Sequence, residues 1–293
     1  MEFGRSVIDL MKARKSIRSY EGEKLGPEDK KKITDYIKKE HNTIFGSKLR
    51  FEFIDASDLN PDDLKNLGTY GMINGAKYFI GGTIDKNNKM KYCLVDFGYV
   101  FEKILLFLTD LDLGTCWLGG TFNKKGFSDK ITLKEDEIIP GVSPVGIISK
   151  KRNLKSSIIR RLAGSKNRKP WSKLFFSGSF LDPLEESRSG TYKEALEMVR
   201  IAPSASKMQP WRIIKEKGKN VFHFFIDRSK FYQRRSVYLN LQYIDIGISL
   251  CHFDLAALEL GLKGKWEARD GIQENKGYGI SSNIEYIITW NGS

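Results

Sequence analysis

Cysteine, histidine and proline are all scarce in this chain of 293 residues, at three, three and eight copies. The cysteines, Cys93, Cys116 and Cys251, are odd in number and form no C-x-x-C pair, which argues against a disulfide framework and a Cys-rich zinc site. The histidines, His41, His223 and His252, lack metal-ligand spacing and read as core or surface residues. Long apolar runs are missing too. The longest, Ile104 to Leu108, is followed by Thr109, Asp110 and Asp112, far short of the ~20 residues a membrane span needs. The first residues carry Glu2, Arg5, Asp9, Lys12 and Arg14 with no signal-peptide core. No P-loop, G-x-S-x-G elbow or G-x-G-x-x-G following a strand occurs. The acidic pairs Glu185-Glu186 and Asp62-Asp63 sit in polar surroundings and are expected to face water. These absences lead to the expectation of a cytoplasmic protein that does not enter membranes.

What is present is enough to build a full core: 40% hydrophobic and 12% aromatic residues, which excludes disorder. Lys and Arg outnumber Asp and Glu by 49 to 36, a net charge of +13 that favours anionic partners. Part of the excess is local. From Ile138 to Leu181 there is no acid, while Lys150, Lys151, Arg152, Lys155, Arg160, Arg161, Lys166, Arg168, Lys169 and Lys173 are basic. No recognition helix, zinc finger or RNA-binding sheet motif accompanies this patch, so nucleic acid is not the expected partner.

Periodicity predicts a helix over Ser6 to Arg14 and another starting at Gly26-Pro27-Glu28-Asp29. Leu49 to Ile54 alternates as a strand does, and Lys77 to Thr83 reads as a second strand running into a Gly-Gly turn. A long apolar helix is predicted over Val95 to Leu113, stopping at Gly114. Pro144 to Ser149 reads as a strand, and Lys150 to about Arg168 as a connection. The second half has the same outline. It predicts a helix over Tyr192 to Ile201, a hairpin of Arg212–Lys215 and Val221–Ile226 about Lys217-Gly218, a long helix over Ile244 to Leu260 ending at Gly261, and a terminal strand over Tyr286 to Trp290. Leu111-Asp112-Leu113-Gly114 and Leu258-Glu259-Leu260-Gly261 close the two long helices alike, with Trp117 and Trp266 shortly after.

Three segments carry candidate chemistry. Arg14-Lys15-Ser16-Ile17-Arg18-Ser19-Tyr20 gathers three cations and two hydroxyls, a set suited to gripping a phosphate; on composition alone a solvated basic turn is the preferred reading. Ala202-Pro203-Ser204-Ala205-Ser206-Lys207-Met208-Gln209-Pro210-Trp211 brackets small polar residues between prolines that fix the backbone. Such a loop can read the edge of a planar heterocycle, or simply turn a helix into a strand. Leu113-Gly114-Thr115-Cys116-Trp117-Leu118-Gly119-Gly120 allows close backbone approach to a flat ligand and leaves amide N–H groups to donate; alternatively it is a capped helix and a tight turn. Lys150, Lys151 and Arg152 can complete a phosphate site.

Taken together, the three segments resemble motifs of the nitroreductase family of FMN-dependent oxidoreductases. There an R-R-S-x-R-x-F/Y segment holds the flavin phosphate and ring edge, a P-S-x-x-N-x-Q-P-W loop contacts the isoalloxazine, and a G-L-G-T-C-W-L-G-G-like segment approaches N5. The resemblance implies FMN contacts from Arg14, Lys15, Ser16, Arg18, Gly119, Gly120, Lys151, Arg152, Pro203, Ser204, Ser206, Lys207 and Gln209. Lys207 stands where the family usually has Asn; it either stabilises the reduced ring or points to solvent, the second being preferred.

Family members usually carry all three motifs in one shorter copy and pair as homodimers, each flavin taking the P-S loop from the partner. Here the arginine and Gly-Gly segments lie in residues 1–165 and the P-S loop in 166–293. At the expected place in the first half stands only Asn42-Thr43-Ile44-Phe45-Gly46-Ser47. The second half has no arginine segment, and Glu186-Ser187-Arg188-Ser189-Gly190 is a poor substitute. The resemblance therefore implies an α+β fold of two nitroreductase-like halves in tandem, each with a mainly antiparallel sheet flanked by helices, forming an internal pseudo-dimer that is monomeric and binds one FMN between its halves. It also implies electron transfer from NADH or NADPH to a nitroaromatic or quinone-type small molecule by a ping-pong mechanism, with no side-chain acid or nucleophile required. The alternatives are a flavin-binding or sensing protein without turnover, or different chemistry on the same fold, such as dehalogenation.

Overall fold

A computed structural model describes residues 2–60, 63–64, 67, 73–120, 122–150, 168–228 and 240–293. The chain divides into two compact units, 1–165 and 166–293.

Unit 1 begins with α1 (Val7–Ala13), started by Ser6, whose side chain accepts from the Asp9 amide, and turned inward through Val7, Leu10 and Met11. Helix α2 (Pro27–Lys38) has its proline in the first turn and acids Glu28 and Asp29 at the positive end of the dipole. Strands β1 (Leu49–Asp55) and β2 (Tyr78–Asp85) pair antiparallel. Then come α3 (Met90–Asp110), β3 (Gly114–Thr115), α4 (Lys124–Ile131) and β4 (Glu137–Gly146). The sheet runs β1-β2-β4-β3, antiparallel throughout.

Unit 2 opens with the short strand β5 (Phe175–Ser177), followed by α5 (Lys193–Ile201), β6 (Trp211–Lys215) and β7 (Val221–Asp227). Helix α6 (Leu241–Glu259), β8 (Gly264–Glu267) and β9 (Ile284–Gly292) complete it. Its sheet runs β5-β6-β7-β9-β8, with only the β5–β6 pair parallel. Dropping β5 leaves β6-β7-β9-β8, the same strand order and direction pattern as β1-β2-β4-β3. Each unit is therefore α+β with a mainly antiparallel sheet, as predicted.

Three local predictions need correcting. Gly81-Gly82 is no turn: both residues lie inside β2, opposite Glu52 and Phe51 of β1. Glycine is required there by crowding, since a Cβ on Gly82 would sit 2.5 Å from the Phe51 ring and 2.7 Å from Phe97. Second, the strand read at Pro144 to Ser149 starts earlier, at Glu137, and ends at Gly146. Third, Gly114 does not cap the first long helix. That left-handed position is taken by Asp112 (φ 58°), and Leu113 N–H closes the turn on Leu108 O at 2.9 Å. In α6 the left-handed residue is Gly261 (φ 70°), with Leu262 N–H on Ala257 O at 2.9 Å. The structural repeat thus aligns Asp112 with Gly261, two residues off the register suggested by the matching letters.

Both long helices are buried on nearly every face, as their apolar runs require. Aromatic rings pack the space between helix and sheet. Phe101 of α3 meets Trp117 edge-on at 4.7 Å in unit 1, and Phe253 of α6 meets Trp266 at 5.9 Å in unit 2. No helix among the described residues is long and apolar enough to cross a membrane.

Two predictions follow from this packing. Gly82→Ala forces Phe51 or Phe97 out of place and lowers stability by about 1–3 kcal/mol, read as a fall in the urea midpoint. Arg50 of β1 pairs with Glu137 of β4, and Thr83 Oγ1 and the Lys134 amide also donate to that carboxylate. The guanidinium bond is the main reason its pKa falls from the ordinary 4.5 to about 2. A depressed carboxylate stabilises the fold fully above its unfolded pKa and ceases to do so as pH falls through the folded value. Arg50→Met is therefore expected to lower stability at pH 7 by about 1 kcal/mol, the pair being partly exposed, and to shrink the loss between pH 4.5 and 2.

Candidate functional site

In unit 1 the first and third motifs are brought together. After α1 the chain turns extended at Arg14 (φ −57°, ψ 128°) and runs as an added strand along the sheet. Ser16 pairs with Thr115, and Ile17 N–H bonds Thr115 O at 2.8 Å. Further along, Tyr20 pairs with Ile148, Ser149 N–H bonds Ser19 O, and Asn74 N–H bonds Arg18 O at 2.9 Å. Ile17 and the buried Tyr20 face the core. Lys15 and Ser16 are exposed and Arg18 is half-buried.

The side chain of Arg14 takes a different course. It is only 6% exposed, and its Nε lies 3.3 Å from Oε1 of Glu102, a fully buried acid in α3. The other oxygen of Glu102 accepts from Trp117 Nε1 at 2.5 Å. One buried carboxylate thus ties the arginine arm to the segment that leads to Gly119-Gly120. Breaking such a pair leaves an uncompensated charge, which is why it is strong in place and costly to split.

Several polar atoms along the arm and in β3 are unspent. Arg14 Nη1, Ser19 Oγ and Thr115 Oγ1 are buried without a hydrogen-bond partner among the described residues. The Gly-Gly segment is less free than its composition suggests: the Cys116 amide donates to Ser143 Oγ, and the Leu118 amide to Val142 O, both at 3.0 Å. Gly120 is exposed, and a Cβ there would meet nothing within 4 Å. Burial raises the Cys116 thiol pKa against the pull of Arg18 and Arg14, which keeps the thiol protonated. Lys151 and Arg152 lie outside the described residues, as does most of the basic connection.

In unit 2 the P-S loop is a tight, strained turn from α5 into β6. Ser206, Lys207 and Gln209 all adopt left-handed backbone, with φ of 49°, 56° and 44°. Such residues cost about 1–2 kcal/mol each and persist only where their surroundings over-determine them. Here Ser204 Oγ accepts the Gln209 amide at 2.9 Å, and Asp245 Oδ1 of α6 accepts the Ala205 amide at 2.8 Å. Trp211 anchors the loop's end, fully buried. Lys169 adds its backbone amide on Gln209 Oε1 at 2.6 Å and its amine on Gln209 O at 3.3 Å. Burial, then the neighbouring Arg212, push the Lys169 amine down to about 8, with Asp227 opposing.

Two expectations change. The Gln209 side chain is fully buried, and its amide also donates to Arg200 O at 2.8 Å, so it holds the loop rather than facing a ligand. Lys207 does not extend into solvent, because its Nζ is buried. Ser206 is exposed, and Pro203 and Ser204 are half-buried.

The residues that motif reading passed over are Glu102, Asp96 and Asp245, carboxylates inside apolar helices. Their signal was present: Asp96-Phe97-Gly98 and Asp245-Ile246-Gly247 share a D-x-G pattern, and both aspartates precede the capping leucine of their helix by 15 residues. Asp96 accepts amides from Ile44, Phe45 and Ser47, which places 42–47 in unit 1 where the P-S loop stands in unit 2. Among the histidines, His223 is buried between Thr289, Glu216 and Tyr278, and His252 bonds Met198 O. No cluster of three or more metal-ligating side chains occurs among the described residues.

The family model described as "Putative TM nitroreductase" matches residues 6–257. The chain belongs to that nitroreductase family. Among solved structures, it is similar to a "putative nitroreductase" from Thermotoga maritima, at 18% identity and a TM-score of 0.60, covering 98% of this chain and 93% of that one. It also matches a "Putative NADH Oxidase" from Clostridium acetobutylicum, at 24% identity and TM-score 0.41, over 49% of this chain and 90% of that one. An FMN-dependent nitroreductase from Clostridium difficile matches at 18% identity and TM-score 0.41, over 53% of this chain and 95% of that one. No curated protein matches the chain.

For this nitroreductase-family chain, Glu102→Leu strands the Arg14 charge and is expected to cost about 3–5 kcal/mol in urea unfolding. The double variant Arg14→Met/Glu102→Leu recovers much of that loss. Equal losses in both would show that the pair is not coupled.

Proposed function

We propose that the chain is an FMN-dependent oxidoreductase that passes electrons from NADH or NADPH to a small organic acceptor of the nitroaromatic or quinone type, by a ping-pong mechanism. Membership of the nitroreductase family supports an oxidoreductase. The observation that carries the cofactor assignment is the set of unspent donors along the arginine arm and in β3. Arg14 Nη1, Ser19 Oγ and Thr115 Oγ1 are buried and unbonded among the described residues, beside exposed Lys15 and Ser16. Hydroxyls without partners and a guanidinium N–H to spare fit a phosphate ester, which supplies acceptors only. The residues present therefore fit FMN.

In this reading Lys15 and Ser16 hold the phosphate, with Arg14 as a buried donor whose charge Glu102 already offsets; Lys151 and Arg152, by their place in the sequence, add to the set. Open space at Gly120 lets the backbone approach a flat ring. Ser204, Ser206 and Lys207 read a polar ring edge, and the Arg18 and Lys207 cations stabilise negative charge on it. When bound, FMN would supply the redox chemistry that couples the nicotinamide to the second substrate. No side-chain nucleophile is needed. The single copy of each motif gives one FMN per chain, and the two units correspond to the two halves of a pseudo-dimer.

The purified protein is expected to show bands near ~370 and ~450 nm that bleach on anaerobic addition of NADH or NADPH, since the cofactor carries the electrons. Titration of FMN into apoprotein should end at one per chain. A stoichiometry of two would overturn the single site. Bands that persist with both reductants would leave a flavin-binding protein without turnover. A colourless protein that takes up no FMN would remove the reading.

A further inference from the structure

The two buried aspartates of the long helices occupy equivalent positions but hold unlike loops. Asp96 accepts three backbone amides, Ile44 at 2.8 Å, Phe45 at 3.0 Å and Ser47 at 3.1 Å. The loop it holds is relaxed, its one left-handed residue in 42–47 being Gly46. Asp245, 3% exposed, accepts the Ala205 amide at 2.8 Å, at the start of a loop with three left-handed non-glycine residues. A fold that needed only a turn from α5 to β6 has no use for that strain. Unit 1 makes the same connection, from α2 to β1, without it.

We infer that Asp245 is a positioning residue for ligand binding: its bond to Ala205 keeps the Ser204–Gln209 backbone in its strained form, so that Ser204, Ser206 and Lys207 are set before a flat polar ligand arrives. Asp96, in the matching place, serves folding alone. The inference rests on the proposed flavin site and names what holds one wall of it in shape. Preorganisation works by removing the ordering cost from the binding step. Inside the loop Ser204 Oγ accepts the Gln209 amide, the Lys207 and Met208 amides donate to Ser204 O and Ala205 O, and the Gln209 side chain braces the far end on Lys169 and Arg200, while Asp245 fastens the Ala205 end to α6.

The test measures dissociation constants for FMN and for riboflavin by flavin fluorescence, with urea midpoints, in the full chain. Asp245→Ala is expected to raise both constants about tenfold and by the same factor, because the lost charge-assisted bond acts on the ring-reading loop and not on phosphate. Asp245→Asn, which keeps an acceptor for the Ala205 amide, should restore most of the affinity. Ala205→Pro deletes the same bond from the donor side, leaves α6 untouched and suits the first position of a helical turn. It should reproduce the tenfold loss, and the Asp245→Ala/Ala205→Pro double variant should lose no more than either single. Asp96→Ala should lower the urea midpoint and leave both constants within about twofold.

The inference is overturned if Asp245→Ala and Ala205→Pro leave the constants unchanged, or if Asp96→Ala shifts them equally. Should Asp245→Ala not fold, Ala205→Pro decides alone. A wild-type chain that binds neither flavin overturns the flavin reading itself, and this inference falls with it. A wild type that binds both flavins while the loop variants behave as wild type overturns only the role of Asp245.

Discussion

A carboxylate placed inside an apolar helix has to be answered from outside that helix, because burying an unpaired charge costs far more than a fold of this size can spare. Helix α3 carries two such groups, Asp96 and Glu102, both fully buried, and α6 carries Asp245. Their answers come from segments outside the helix: the amides of Ile44, Phe45 and Ser47, the guanidinium of Arg14 with the indole of Trp117, and the amide of Ala205. Each connection that bears a motif in this chain is fastened to a long helix in this way. The helices therefore do more than fill the core. They set where the polar segments begin.

The same device appears twice because the architecture does. Strand order, helix position, the D-x-G pattern and a tryptophan donating to a helix carboxylate recur in both units, Trp117 to Glu102 and Trp266 to Asp254. What differs is the load each device carries. In unit 1 three amides relax onto one carboxylate. In unit 2 Asp245 holds the Ala205 amide at the mouth of a loop with three left-handed non-glycine residues. The scaffold is alike in the two units and the polar residues differ on it: unit 1 has the cationic arm, unit 2 the serine-bearing loop.

Much of the fold was legible in the sequence because its signals are local. Ser6 and Pro27 mark helix starts, Gly218 turns a hairpin, and the apolar runs about Phe97 and Ile248 allow little but buried helix. Two of the misreadings share one cause, that glycine was taken for a turn or a cap where it answers crowding. Gly82 faces Phe51 and Phe97, and Gly114 faces Ile17 and Ile148, contacts made only once strands have met. The site was legible as residue types and not as roles. Gln209 looks like a ligand-reading amide in a polar loop, and only its buried bonds to Lys169 and Arg200 show it to be a brace.

Sequence alone determined the composition of each element, the two-part outline and the family motifs, since periodicity and short motifs are properties of neighbouring residues. The tertiary structure decided which charges are spent and which remain. Arg14 and Arg18 stand four residues apart in one basic segment, yet the first is drawn inward by Glu102 while the second stays half-buried on the arm. That division depends on an acid 88 residues further along the chain, and no local rule brings the two together. Burial and pairing are long-range quantities, so they were settled only by folding.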